Sequence, residues 1–187
     1  MVTINELIEM TLSVLEKLYK NDEILFINDV CERSLVFRFG IYLNNMLNKN
    51  DKFNNLNVDS EYNRNVRGVN IYKSIGIDNY RRKTYPDIII HERGTNDNNQ
   101  LAIEFKKWNK NKQNEFLAYE NKRINIDNAK LEYYTANNKE YKYKLGLAIV
   151  FGRVIEDTTI TVYLNGKVYN KYGYNYLKRI YQTIKII

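Results

Sequence analysis

Apolar residues recur at helical spacing near the N-terminus of the chain. A Thr-x-x-Glu capping box at 3–6 precedes one apolar stripe, which predicts a helix that ends near Lys20. An Asp-x-x-Glu box at 29–32 precedes a second stripe over 35–46, which stops in a polar run. The pattern therefore predicts two helices before the first strand.

From residue 56 onwards the hydrophobic period becomes short or continuous. Residues 56–62 mix apolar and charged side chains and predict a strand with one polar face, whereas 64–79 is polar and reads as a loop or weak ribbon. The run Tyr-Pro-Asp-Ile-Ile-Ile at 85–90 is typical of a buried strand. Turn residues at 94–99 lead into a second strand at 100–105, so we expect a β-hairpin here.

The C-terminal third alternates helical and strand patterns. Helical spacing returns at 114–119 and again at 127–134, and 144–151 has the pattern of another buried strand. Residues 158–172 contain Asn-Gly at 165–166, the favoured two-residue hairpin turn. We therefore expect a single α/β domain with a mixed central sheet flanked by helices, two N-terminal helices and a C-terminal β-hairpin.

Histidine and cysteine are too scarce for several common kinds of site. The chain of 187 residues has one cysteine, Cys31, and one histidine, His91. An internal disulfide, zinc sites built from several Cys and His ligands and mechanisms that need a histidine pair are therefore excluded. Carboxylates, lysines and a metal that prefers oxygen ligands remain as the main option.

The charge balance leaves two interpretations open. Lys and Arg number 29 and Asp and Glu number 22, which gives a net charge of +7. This excess suits a polyanionic partner, but abundant Asn, Lys, Ile and Tyr are also typical of an AT-rich genome. No apolar run is long enough to cross a membrane, and the first residues lack a secretory signal pattern. We therefore expect a cytoplasmic protein with no membrane partner.

Two carboxylates and a lysine converge in the predicted hairpin at 85–105. Asp87 starts one strand and Glu104 lies near the end of the next, and antiparallel pairing brings such positions side by side. Glu104 and Lys106 leave the same face of their strand. The two acids and the backbone carbonyl of Phe105 suffice to hold Mg²⁺, which prefers oxygen ligands. Lys106 would then orient or help to deprotonate the attacking water, or neutralise a phosphate.

These residues resemble the PD-(D/E)xK nuclease superfamily. The chain reads Tyr-Pro-Asp at 85–87 and Ile-Glu-Phe-Lys at 103–106, and the resemblance in motif order and element order covers about 29–152. It implies a restriction-endonuclease-like core and a DNA nuclease that uses Mg²⁺, for which Mn²⁺ would substitute. The resemblance to a bacterial branch of this superfamily extends to three further stretches, 58–64, 91–97 and 130–134.

The family pattern implies a role for each matching residue. Asp87 and Glu104 would be metal ligands, and Lys106 would be the catalytic lysine. Many members add an acidic residue from the helix that precedes the sheet, and Glu32 stands in the matching element. Glu32 would equally serve as the N3 partner of a capping box, so both interpretations stay open.

Further candidates surround this site. Glu61 is a second acidic candidate for metal or water contact, unless it is solvated and paired with an arginine. Lys130 and Tyr134 are four residues apart on a predicted helix, where related nucleases carry Gln-x-x-x-Tyr against substrate; the lysine departs from that pattern. The weaker candidates for nucleic-acid contact, each with an alternative as ordinary surface or core, are Lys107, Lys110, Lys130, Tyr134 and Arg64.

The sequence therefore predicts a metal-dependent endonuclease that hydrolyses phosphodiester bonds, with DNA as the favoured substrate. Two alternatives stay open: a nucleic-acid-binding module of the same fold without catalysis, and a defence or toxin effector that cuts RNA. A homodimer is compatible with cleavage of both strands of a duplex, because this usually takes two active sites.

Overall fold

The computed structural model describes residues 2–64, 73–77, 80–108 and 126–183. Its α-helices are α1 (Ile4–Asn21), α2 (Glu23–Ile27), α3 (Glu32–Leu47), α4 (described over 126–135) and α5 (Tyr174–Ile180). Its strands are β1 (Asn57–Ser60), β2 (Ser74–Ile77), β3 (Tyr80–Lys83), β4 (Ile88–His91), β5 (Leu101–Lys107), β6 (Leu145–Phe151), β7 (Thr159–Leu164) and β8 (Lys167–Gly173).

The capping box at the start of α1 is confirmed. The Thr3 hydroxyl oxygen accepts the N–H of Glu6 at 3.2 Å, and the Glu6 carboxylate accepts the N–H of Thr3 at 2.7 Å. These two bonds satisfy N–H groups that the first turn of a helix leaves without partners. The apolar stripe behind the box is buried, as its spacing predicts.

The second predicted capping box is wrong. Helix α3 begins at Glu32 behind Cys31, and no side chain caps it. Asp29 adopts a positive φ of 52°, and its carboxylate lies 2.6 Å from the ammonium of Lys107 instead. The short helix α2 also separates α1 from α3, so three helices precede β1 rather than two.

Six strands form one mixed sheet in the order β1-β4-β5-β6-β7-β8. Strands β5 and β6 are parallel, and every other neighbouring pair is antiparallel. The parallel pair needs a crossover, and α4 lies within the segment that joins the two strands. Strands β2 and β3 form a separate antiparallel ribbon; β2 lies within the stretch 64–79 that was expected to be a loop or weak ribbon, and β3 follows that stretch. The expected α/β class with a mixed sheet flanked by helices is confirmed.

The two faces of the sheet carry different layers. Alternate residues of β5, among them Ile103 and Phe105, pack with α1 and α3 in the larger core. On the other face, Ala102 packs with Leu131 and Tyr134 of α4 in a smaller, tyrosine-rich core. Because side chains alternate along a strand, the residues of β5 at even positions all face α4. This places Glu104 and Lys106 between the sheet and α4.

The C-terminal hairpin is confirmed, with α5 added after it. Asn165 and Gly166 have φ values of 53° and 80°, as a two-residue turn between twisted strands requires, and Leu164 pairs with Lys167 across it. Helix α5 follows β8 directly and buries Leu177. The predicted helix at 114–119 and the candidate residue Lys110 lie outside the described residues. In the described part of the chain, none of the helices is both long and apolar enough to cross a membrane.

Candidate active site

Asp87 and Glu104 meet at the open end of the β4–β5 hairpin. Ile88 pairs with Ile103 and Ile90 with Leu101, so continuing the register by one residue places Asp87 opposite Glu104. The predicted hairpin is therefore confirmed. The Asp87 carboxylate accepts the backbone N–H of Phe105 at 2.7 Å, which fixes the side chain against β5.

Strand β1 holds the backbone of Asp87 from the other side. The hydroxyl of Ser60 donates to the Asp87 carbonyl oxygen at 2.9 Å, and the N–H of Glu61 donates to the same oxygen at 3.3 Å. Glu61 has a positive φ of 48°, so the chain turns sharply at this point. The position of Asp87 is therefore set by both neighbouring strands.

Glu104 is the most deeply buried acid of the site. Its side chain is 3% exposed, and its Oε2 accepts a hydrogen bond from Lys130 Nζ at 3.1 Å. Its Oε1 is buried and has no hydrogen-bond partner. Burial raises the pKa of Glu104 well above its usual range, and the charge of Asp87 adds to this effect. Burial likewise raises the pKa of Asp87 to about 6, although the N–H of Phe105 opposes the change.

Asp127, at the start of α4, links the two lysines of the site. Lys106 Nζ lies 2.7 Å from Asp127 Oδ2 and donates to the carbonyl of Phe105 at 2.9 Å. Lys130 Nζ lies 2.7 Å from the other oxygen of Asp127 and also binds Glu104. Sequence reasoning missed Asp127. The available signal was its spacing of three residues from Lys130, which puts both side chains on one helix face.

Glu32 joins α3 to the end of β5. Its Oε2 accepts the backbone N–H of Lys107 at 2.9 Å, and its Oε1 lies 3.9 Å from Lys106 Nζ. The Lys107 ammonium lies 2.6 Å from the Asp29 carboxylate and donates to the carbonyl of Val30 at 2.5 Å. Glu32 therefore stands at the edge of the site as the first helical residue, and not as an N3 partner of Asp29.

These side chains surround a cleft of about 230 Å³. Glu61 lies at its rim, exposed, with its Oε1 3.9 Å from Arg33 Nε. The residues that line the cleft are Glu32, Arg33, Val36, Phe37, Ser60, Glu61, Asp87, Glu104, Lys106, Asp127 and Lys130. Most of them are charged, as expected for a site that handles ions. Of these, Arg33, Val36, Phe37, Ser60 and Asp127 were not predicted as site residues.

Two of the weaker candidates lie away from this cleft. Tyr134 is 0% exposed, and its hydroxyl is hydrogen-bonded to that of Thr84. A ring without exposed surface does not contact nucleic acid, which corrects the expectation for Tyr134. Arg64 is exposed, at the end of the described stretch 2–64.

His91 belongs to an ion-pair cluster at the other end of β4. Its Nε2 lies 2.9 Å from Asp59 Oδ2, and the guanidinium of Arg93 binds the same carboxylate. Hydrogen bonds from these groups outweigh the burial of Asp59 and lower its pKa. His91 itself is buried under the ring of Tyr62, with ring centroids 4.5 Å apart. These contacts join β1 to β4, and we therefore assign the cluster a structural role.

Asp87 and Glu104 are the carboxylates of the site that could hold a divalent cation. Among the residues that the structure describes, no three Asp, Glu, His or Cys side chains form a group able to hold a metal ion. The pair would therefore need further oxygen ligands from the backbone, water or substrate, as Mg²⁺ sites commonly have. The Oε1 atom of Glu104 has no hydrogen-bond partner and is available as a metal ligand. A cation bound there would offset the cost of burying both carboxylates. A metal on the Phe105 carbonyl would share that oxygen with Lys106.

A larger cavity of about 600 Å³ lies around Asn99 and Gln100, at the opposite end of β5 from Glu104. Its size alone does not identify an active site, whereas paired buried carboxylates beside two lysines have few structural uses. We therefore assign the candidate site to the smaller cleft. Comparison with models of protein families, with curated proteins and with solved structures found no match to this chain.

Proposed function

We propose that the protein is a divalent-metal-dependent nuclease with a restriction-endonuclease-like core, and that it hydrolyses phosphodiester bonds. The observation that carries the proposal is the buried Glu104 carboxylate, which has one unpartnered oxygen and lies in register with Asp87 beside Lys106. Leaving a buried polar atom without a partner costs about 1–3 kcal/mol, so a group that meets it is expected. A cation is the partner that suits two carboxylates.

In this proposal Asp87 and Glu104 hold Mg²⁺ or Mn²⁺, and the Phe105 carbonyl completes the protein ligands. The metal supplies Lewis acidity toward the phosphoryl oxygens when it is bound. Lys106, held by Asp127 at 2.7 Å, is placed to orient the attacking water or to offset charge on the phosphate. Lys130 offsets the charge of Glu104 from the side of α4.

The remaining acids act at a distance from the metal pair. Glu32 fixes the end of β5 through the N–H of Lys107 and lies 3.9 Å from Lys106. It is therefore placed to set the position of Lys106 rather than to bind the same cation as Asp87. Glu61, at the rim, is placed to contact substrate or a second hydrated ion.

The test is cleavage of supercoiled DNA, linear duplex, single-stranded DNA and RNA with Mg²⁺, Mn²⁺ or chelator. We expect cleavage with either metal, none with chelator, and a loss of about a hundredfold or more in Glu104→Gln and Lys106→Met. Matched controls are Glu132→Gln on the exposed side of α4 and Lys167→Met on β8, which should cleave as the wild type does. If Glu104→Gln cuts as fast as the wild type, the assignment is wrong.

The same set of substrates and a calorimetric titration with Mn²⁺ distinguish the proposed nuclease from the two alternative functions. A binding module without catalysis would hold nucleic acid and take up no Mn²⁺ that depends on Asp87. An RNA-cutting effector would need the same residues and would differ only in the substrate it cuts. The intact set of Asp87, Glu104 and Lys106 favours catalysis, since binding alone does not require it.

A further inference from the structure

An exposed aromatic side chain stands beside the buried acids. Phe37 of α3 is 66% exposed and lines the cleft, although the adjacent Val36 is buried in the core. Arg33 lies four residues earlier on α3, so the two side chains share one helix face. The Arg33 side chain is 89% exposed and also lines the cleft.

The cleft beneath them is small, and Glu104 lies buried in its lining. Its volume is about 230 Å³, and the Glu104 side chain is 3% exposed. A phosphate that reaches Glu104 must therefore enter this cleft, which Arg33 and Phe37 also line. A single strand has unpaired bases that can stack on an exposed ring while its phosphate enters the cleft, whereas the bases of a duplex are already paired and stacked.

We propose that Phe37 and Arg33 form a platform that selects a single-stranded phosphodiester chain, in which Phe37 stacks an unpaired base and Arg33 contacts the adjacent phosphate. The proposal rests on the proposed function and names its substrate class. Aromatic rings bind single strands by stacking because every base presents a π-face, whereas the bases of a duplex already stack on one another. DNA and RNA share this chemistry, so the test includes both.

The charges at the rim suit this arrangement. Arg33 is held by Glu61 only at 3.9 Å and with both side chains mostly exposed, so a phosphate competes easily for the guanidinium. The neighbouring ring of Phe37 is not part of the hydrophobic core. A single exposed Phe is common on protein surfaces, but Phe37 borders a cleft that combines buried acids with lysines.

The experiment measures binding without cleavage. Fluorescence anisotropy would follow short labelled single-stranded DNA, single-stranded RNA and blunt duplex on Glu104→Gln protein in chelator. In this background we would compare Phe37→Ala, Phe37→Trp and, as an exposed aromatic control on β8, Tyr169→Ala, whose native side chain is 47% exposed. A single strand with abasic positions tests whether the base is what Phe37 contacts.

We expect Phe37→Ala to weaken single-strand binding by about 5- to 100-fold, with Phe37→Trp and Tyr169→Ala close to the parent. Abasic strands should bind the parent about as weakly as normal strands bind Phe37→Ala. The proposal is overturned if Phe37→Ala binds single strands as the parent does, if it loses duplex and single strand equally, or if the parent binds neither. If metal-dependent cleavage occurs but does not change in Phe37→Ala, only the platform proposal is wrong. If binding depends on Phe37 but the wild type never cleaves, the proposed function is wrong.

Discussion

Replacing Asp87 with asparagine should stabilise the metal-free protein while it abolishes metal binding. The change removes a carboxylate that is buried at the end of the hairpin, and an asparagine oxygen can still accept the N–H of Phe105. Burial raises the pKa of Asp87 from its ordinary value of 3.8 to about 6. The wild-type fold therefore carries an ionised carboxylate at neutral pH against a cost, which the variant lacks.

The size and the sign of this effect follow from the two pKa values. Below about pH 3 the carboxyl of Asp87 keeps its proton in the folded state and largely in the unfolded state, so it contributes almost no cost. Above pH 6 it is ionised in both states, and the folded state is less stable by about 3 kcal/mol, at roughly 1.4 kcal/mol for each pH unit between the two values. For a chain of this length, that difference corresponds to about 6–12 °C in Tm.

The assay is urea unfolding in chelator at about pH 3 and about pH 7.5, with the exposed Asp51→Asn as a matched control. We expect Asp87→Asn to exceed the wild type by up to about 3 kcal/mol at neutral pH and to match it in acid. Added Mn²⁺ should raise the Tm of the wild type and leave the variant unchanged. A variant that is no more stable than the wild type at neutral pH, or whose advantage persists unchanged in acid, would refute the buried-charge reasoning.

Three further outcomes test other parts of the molecule. Asp127→Asn should lower cleavage about tenfold or more, because it releases Lys106, and steady-state kinetics would show a fall in kcat larger than any rise in KM. Asp59→Asn should cost about 1–3 kcal/mol at neutral pH, and this cost should begin to fall only below the ordinary pKa of 3.8. The pKa of Asp59 is lowered in the folded state, so its stabilising effect is lost only as the pH falls from 3.8 towards that lowered value; urea unfolding at neutral pH and in acid measures the cost. Gly146→Ala should cost about 1–3 kcal/mol in the same assay, since a Cβ there would lie 2.9 Å from Thr135 Cγ2.

Local chemistry explains which parts of the site were predictable. The β-branched run before His91 and the turn residues after it specify a hairpin, and a hairpin of known register places Asp87 opposite Glu104. Alternation along β5 then puts Lys106 on the same face as Glu104. Each step uses neighbours in sequence or across one short turn, which is where residue patterns carry the most information.

Contacts between distant elements were not predictable in the same way. The bridge from Asp127 to Lys106 depends on how α4 lies against the sheet, and no pattern in the sequence states that geometry. Asp29 has the spacing of an N-cap, but it forms an ion pair with Lys107 at the end of β5 instead. Tyr134 has the spacing of a substrate contact, yet the small core beneath α4 needs a large ring. In each case tertiary packing outweighs a valid local preference.

The charges of the cleft and of the whole chain have opposite signs, and the proposed function gives each a role. The cleft is lined by five carboxylates and three cationic side chains: Glu32, Glu61, Asp87, Glu104 and Asp127 against Arg33, Lys106 and Lys130. Fully ionised, it carries a surplus of two negative charges, which a single divalent cation would cancel. Without a bound cation, this negative charge repels a phosphodiester group, whereas the net charge of +7 on the whole chain attracts a nucleic acid. In the proposed function, the metal should therefore bind before a phosphate of the strand reaches Glu104.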